Sequence, residues 1–317
     1  MIAIVVRRLL QLVPVLLLAT ALVFGLVRLA PGDPALQQLG PRGARNPEMV
    51  TALQVKLGLD KPIPIQYAYW LRHAITGDFG NSIKSGRPVL GLIWPKLIAT
   101  AELVFAALLF AVPISLALGT EAARRRGRWV DQVTRVLVVT GLAIPSYWLA
   151  LILLLIFAVH LHWLPVSGYV AFSEDPVDNI RHLILPSLSL GVFEAAFFTR
   201  FLRAELIEVL RQDYVRTAKA KGLAGRRVMR GHAMKNALIP MVTLLGLELG
   251  TLLGGAVVIE QVFGWSGVGW LALTSVKNRD YPLLQGIVLI VAVAVSLANL
   301  LADLAYTFID PRMRTAG

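Results

Sequence analysis

Six long apolar runs decide what this chain can fold into. They lie at about 9–29, 97–119, 133–160, 183–206, 238–262 and 283–308. About 20 residues of helix cross the roughly 30 Å of hydrocarbon in a bilayer, and each run reaches that length. Inside lipid the backbone finds no water, so a span must close its own hydrogen bonds as a helix. Composition agrees. Of the 317 residues, 56% are hydrophobic and 16% charged, against about 45–50% and about 25% in soluble domains. An all-α integral membrane protein with about six transmembrane helices follows.

The connections set an orientation. Arg7 and Arg8 precede the first run, Arg124, Arg125, Arg126 and Arg128 join the second to the third, and Arg312 and Arg314 follow the last. The fourth-to-fifth connection, 207–240, is the most basic of all, with Arg200 and Arg203 just upstream. The short connections of the other side carry only Arg181 or the pair Lys277 and Arg279, and the connection 30–96 is too long for its charges to count. The positive-inside rule then places both termini in the cytoplasm. It also accounts for the formal charge of +12 without nucleic acid. The first run follows two arginines as a signal peptide does, but it is long and ends without an A-x-A site, so it reads as a retained helix. The whole chain, 1–317, reads as a single transmembrane domain.

The connection 30–96 is long, external and helical by its signals. "NPEMVTALQVKLG" offers Asn46 as N-cap, Pro47 at the first helical position and Gly58 as stop, with Val50, Leu53 and Leu57 on one face. "PIQYAYWLRHAITGD" gives a second short helix stopped by Gly77. Two readings stay open for them, a cap on the bundle and a docking place for a soluble partner.

Several kinds of chemistry are missing. No phosphate-binding loop of the G-x-x-x-x-G-K-[ST] type occurs, and the dipeptide Gly-Lys is absent. There is no cysteine, hence no disulfide and no thiolate site. "GWSGVG" (264–269) departs from a nucleophile elbow at Val268. His160, His162 and His182 gather near the external ends of two runs, but a His-x-His pair points to different helix faces, so no metal site is expected. Glu194 and Glu248 lie deep inside runs, Glu102 and Asp303 nearer the ends. Intramembrane carboxylates mark pathways or hold helices together, and both readings stay open for Glu194 and Glu248.

The segment from Asp213 to Pro240 carries Arg216, Lys219, Lys221, Arg226, Arg227, Arg230 and Lys235 against one carboxylate. Asp213 is expected to cap a short helix ended by Gly222. Helical spacing puts Tyr214, Ala218 and Lys221 on one face. Ala218 and Ala220 are small enough for another surface to approach the backbone. A lipid-binding segment would want large apolar anchors, and none lies between Arg216 and Gly222. Docking into a protein groove fits better.

At this point the residues resemble a family. "TAKAKG" (217–222) followed by "HAMKNALIP" (232–240) is similar to the cytoplasmic loop of binding-protein-dependent ABC importer permeases, in the dipeptide/oligopeptide/nickel branch. "RLAPGDPA", "LGLDKPIPIQY", "GDFGNS", "AIPSYWLALIL" and "VFGWSGVGWL" before "RDYP" follow in the branch's order over nearly the whole chain. Arg216 and Thr217 depart from the general motif, and Gly222 to Pro240 is longer than in sugar permeases, as in that branch. The resemblance implies a type I importer permease fold. It implies a second homologous permease subunit, two cytoplasmic ATPases that bind ATP and Mg, and an external solute-binding protein. The chain itself would hold no cofactor and catalyse no reaction. The coupling helix would comprise Tyr214, Arg216, Thr217, Ala218, Lys219, Ala220, Lys221, Gly222 and Leu223. The contrasting expectation is a self-sufficient secondary transporter or channel working through Glu194 and Glu248.

Overall fold

The computed structural model describes residues 2–29, 36, 39, 45–56 and 60–309. In chain order the helices are α1 (Ile2–Leu29), α2 (Pro47–Lys56), α3 (Ile63–Ile75), α4 (Val89–Arg124), α5 (Trp129–Ala143) and α6 (Ser146–His160). They continue as α7 (Pro176–Val209), α8 (Asp213–Ala220), α9 (Gly225–Phe263), α10 (Val268–Lys277) and α11 (Tyr281–Ile309). No strand occurs among the described residues beyond an isolated bridge between Asn81 and Pro88.

All six expected runs are helical. α4, α7, α9 and Tyr281–Leu301 of α11 are each long and apolar enough to cross a bilayer. The expected third span, 133–160, is not one helix. α5 and α6 meet at a bend of 96°. Proline has no N–H to give to the ladder, and it pushes the residue before it out of the α region. Ile144 and Pro145 are accordingly extended, with ψ of 120° and 134°. Hydropathy is blind to this, because the run stays apolar through the break. The fifth span also starts earlier than expected. α9 is helical from Gly225, passes through a π segment at Met229–Ala233 and keeps Pro240 inside it. The expected Gly58 stop, Leu57, and the side chains of Leu53 and Asp303 lie outside the described residues.

Two compact units divide the described residues, one within 1–98 and 270–297, the other within 99–269 and 298–309. In the first, α3 packs on α1. Thr20 Oγ1 and Tyr67 Oη are 2.9 Å apart, the Phe24 ring stands edge-on to Tyr67, and Trp70 stacks on Tyr67. Asn46 Oδ1 caps α2 by accepting from the Glu48 and Met49 amides at 3.0 and 3.4 Å. The segment between α3 and α4 is fastened to the α10–α11 turn. Ser82 Oγ donates to Asp280 Oδ2 at 2.5 Å, the Ile83 amide to Oδ1 at 3.1 Å, and Lys84 Nζ to Asn278 Oδ1 at 2.9 Å.

In the second unit α7 is the mast. Asp175 caps its start, accepting from the Val177 and Asp178 amides. Two apolar clusters surround it. One joins Leu103 and Ala107 of α4, Leu185 and Leu190 of α7 and Leu252, Ile259 and Phe263 of α9. The other joins Ala111 of α4, Phe198, Leu202 and Leu206 of α7 and Ala237 and Met241 of α9. Lipid is as apolar as leucine, so membrane helices associate by close packing over small residues. A Cβ on Gly191 would sit 2.9 Å from the Ala107 carbonyl oxygen of α4, and one on Gly141 of α5 2.9 Å from Ala196 Cβ of α7.

Gly191→Leu should therefore destabilise the purified protein by about 1–3 kcal/mol through overpacking, read as a lower Tm in detergent. Gly91→Leu, where a Cβ meets nothing within 4 Å, should leave Tm unchanged.

Candidate functional site

The polar helix α8 hangs from the end of α7. Its first residue is Asp213, and Gln212 is the extended cap residue, with no side-chain cap hydrogen bond. Asp213 thus lies inside the helix and is not its cap. Its carboxylate still faces the positive helix end, with Arg216 Nη1 at 3.4 Å, an exposed pair that adds little.

The inner face of α8 is Val215 and Ala218. Both are buried with Val228 of α9, against Val209 and Leu210 at the end of α7 and against Leu223. The short helix is therefore sealed to both long helices by an apolar contact. Tyr214 faces out and is tied to α9, its hydroxyl accepting from Asn236 Nδ2 at 3.0 Å.

Lys221 closes the helix and Gly222 follows with φ +80°. The Gly222 amide donates to the Lys219 carbonyl at 2.9 Å and the Leu223 amide to the Ala218 carbonyl at 3.3 Å. This is the Schellman pairing, with Leu223 as its apolar closure. The glycine is there for its backbone, since a Cβ would meet nothing within 4 Å.

Of the nine expected coupling residues, Tyr214, Arg216, Thr217, Lys219, Ala220, Lys221 and Gly222 are exposed, and Leu223 is half-buried. Ala218 does not share their surface. It packs inward against its own chain, so the small residue open to another surface is Ala220. Val215 was not singled out in the sequence. Its signal was being the one large aliphatic residue in a polar run.

Buried polar groups occupy the second unit's core. Glu194 of α7 is 2% exposed, and its Oε2 makes no hydrogen bond. The charge bearing on it is the Glu248 carboxylate of α9. Glu102 is tied down, accepting at 3.3 Å from both Tyr169 Oη and Asn179 Nδ2. Burial, and after it the Glu102 carboxylate, push the Tyr169 phenol up to about 12, so it stays a donor at neutral pH.

Glu260, which no pattern in the sequence marks, is fully buried. Thr100 Oγ1 donates to its Oε1 at 2.6 Å and accepts from the Val268 amide at 2.8 Å. The Trp265 indole, also fully buried, donates to the Ala99 carbonyl at 2.8 Å. A Cβ on Gly267 would collide with the Glu260 carboxylate and sit 2.5 Å from Thr100 Oγ1. The "GWSG" turn is thus folded onto a carboxylate anchored to α4. Among the described residues no three His, Asp or Glu side chains gather to hold a metal ion. His182 Nδ1 instead faces the Asp178 carbonyl at 2.8 Å.

Apolar helices packed on one mast, with a short basic helix sealed to its end, define a multispan membrane protein. The chain belongs to the binding-protein-dependent transport system inner membrane components, which match residues 111–315, with the family's N-terminal component matching residues 1–119. It is therefore a permease subunit of a binding-protein-dependent ABC importer, seated in the inner membrane. The dipeptide transport system permease protein DppB of Alkalihalophilus pseudofirmus is 38% identical over 99% of this chain and 100% of its own length. The glutathione transport system permease protein GsiC of Salmonella choleraesuis is 41% identical over 98% of both chains. A chain of the methionine ABC transporter MetNI, in an inward-facing form, is 17% identical. It aligns at TM-score 0.54, covering 70% of this chain and 96% of that one, which establishes the expected permease fold.

Thr100→Val removes both hydrogen bonds of the hydroxyl, the one it gives to Glu260 and the one it takes from the buried Val268 amide. It should cost about 2 kcal/mol. Thr100→Ser should retain most of that stability. Thermal denaturation of the purified protein in detergent compares the two.

Proposed function

We propose that this chain forms one half of the pathway of an ATP-driven importer for peptides or related small solutes such as glutathione. The solute passes from an external binding protein to the cytoplasm by alternating access. A second, homologous permease completes the pathway, and two cytoplasmic ATPase subunits bind ATP and Mg and carry out hydrolysis. Both termini and the 207–240 connection face the cytoplasm. The observation that carries the reading is α8: a short, basic, solvent-exposed helix whose inner face is sealed to α7 and α9. Motion imposed on it reaches two spanning helices through that packing. Full-length likeness to a dipeptide and a glutathione permease supports the solute class.

The exposed face of Arg216, Lys219, Ala220 and Lys221 is where an ATPase groove would grip. Ala220→Trp should reduce ATP-dependent uptake of a radiolabelled dipeptide by about tenfold or more, the loss expected when about 1.4 kcal/mol of docking free energy is removed. The amount of chain in the membrane should not change, because Ala220 is outside the packed clusters. The buried Glu194 beside Glu248 favours one other reading, an ion-coupled carrier. Such a carrier would take up solute without any ATPase subunit, and uptake by this chain reconstituted alone would overturn the proposal.

A further inference from the structure

The α5–α7 contact contains a polar fastener that the coupling segment does not explain. Asp131, in the first turn of α5, is 1% exposed. Arg203 of α7 grips it with two parallel hydrogen bonds, Nε to Oδ1 at 2.6 Å and Nη2 to Oδ2 at 2.9 Å. The Gly127 amide adds a third, to Oδ2 at 2.9 Å. Arg135, on the next turn of α5, bears on the same carboxylate. A bidentate guanidinium–carboxylate pair fixes orientation as well as distance.

We propose that the Asp131–Arg203 pair makes the start of α5 part of the lever that carries α8, so that both are positioning residues for energy coupling. The inference rests on α8 being the coupling helix. Between Arg203 and α8 lie the last turns of α7 and the three-residue turn 210–212. α7 stays helical through buried Leu206 to Val209, and Val209 and Leu210 pack on Val215 and Ala218. Farther along, Gly141 of α5 lies against Ala196 of α7. α5 is thus held to α7 at two places, and the one nearer α8 is ionic. Apolar surfaces tolerate a small slide, whereas a bidentate pair has one geometry. A displacement of α8 that moves α7 must carry the start of α5 with it.

The test uses the assembled transporter in nanodiscs and proteoliposomes, with a radiolabelled dipeptide as probe. Solute moved per ATP hydrolysed is the readout. Arg203→Lys keeps the charge but loses the fork, and Asp131→Asn keeps the shape but loses the charge. Both should lower solute per ATP by about fivefold or more, the lower end of usual coupling between sites, while the ATPases still co-purify. The exchange Asp131→Arg with Arg203→Asp should recover part of the loss. Should Asp131→Asn fail to assemble, Arg203→Lys decides alone, since it leaves no buried charge unpaired. An unchanged ratio in Arg203→Lys, or uptake and hydrolysis falling in parallel, would overturn the inference. Absence of ATP-dependent uptake in the unaltered complex would instead sink the proposed function.

Discussion

The rest of the second unit depends on how closely other helices approach α7. Between helices in lipid the hydrophobic effect supplies no attraction, so adhesion comes from packing at short range. Gly191 admits the α4 backbone, and Gly141 lets α5 reach Ala196. With those approaches in place, α4 and α9 pack leucine, alanine and phenylalanine against α7. The mast is also the helix that carries α8 at its end. A single helix is therefore both the most enclosed span and the attachment of the segment assigned to coupling.

Polar groups inside this unit act mainly as fasteners. Thr100 and Glu260 fold the α9–α10 turn onto α4, Glu102 gathers Tyr169 and Asn179, and Asp131 takes Arg203 and the Gly127 amide. Each joins segments far apart in sequence, and each has directional geometry that apolar contacts lack. In a low-dielectric interior such bonds are strong when complete and costly when broken. Glu194 is different, since the charge that bears on it is another carboxylate.

Much of the fold was legible because its signals are local. Run length gave four spans, with the bent pair α5–α6 a fifth, Asn46 and Pro47 the start of α2, and Gly222 the end of α8. The family resemblance rested on short words in order over nearly the whole chain. What failed to show was tertiary. The elbow at Pro145 hides in an apolar run. Ala218 looked like a surface residue, because its burial depends on Val228, ten residues on. Glu260 carries no local signal of its role, because Thr100, which holds it, is 160 positions away. Arg203 could be counted for orientation, but its partner is 72 residues upstream.

The elbow between α5 and α6 has a mechanical meaning. The two helices meet at 96°, so a push along the axis of α5 arrives in α6 as a push across it. Two extended residues, Ile144 and Pro145, form the corner, and proline's ring keeps one of the corner's torsions from turning freely. On the proposed coupling, the arrangement would be a bell crank: a stroke delivered to α5 would change direction before it reached the apolar core that α6 shares with α7 and α9.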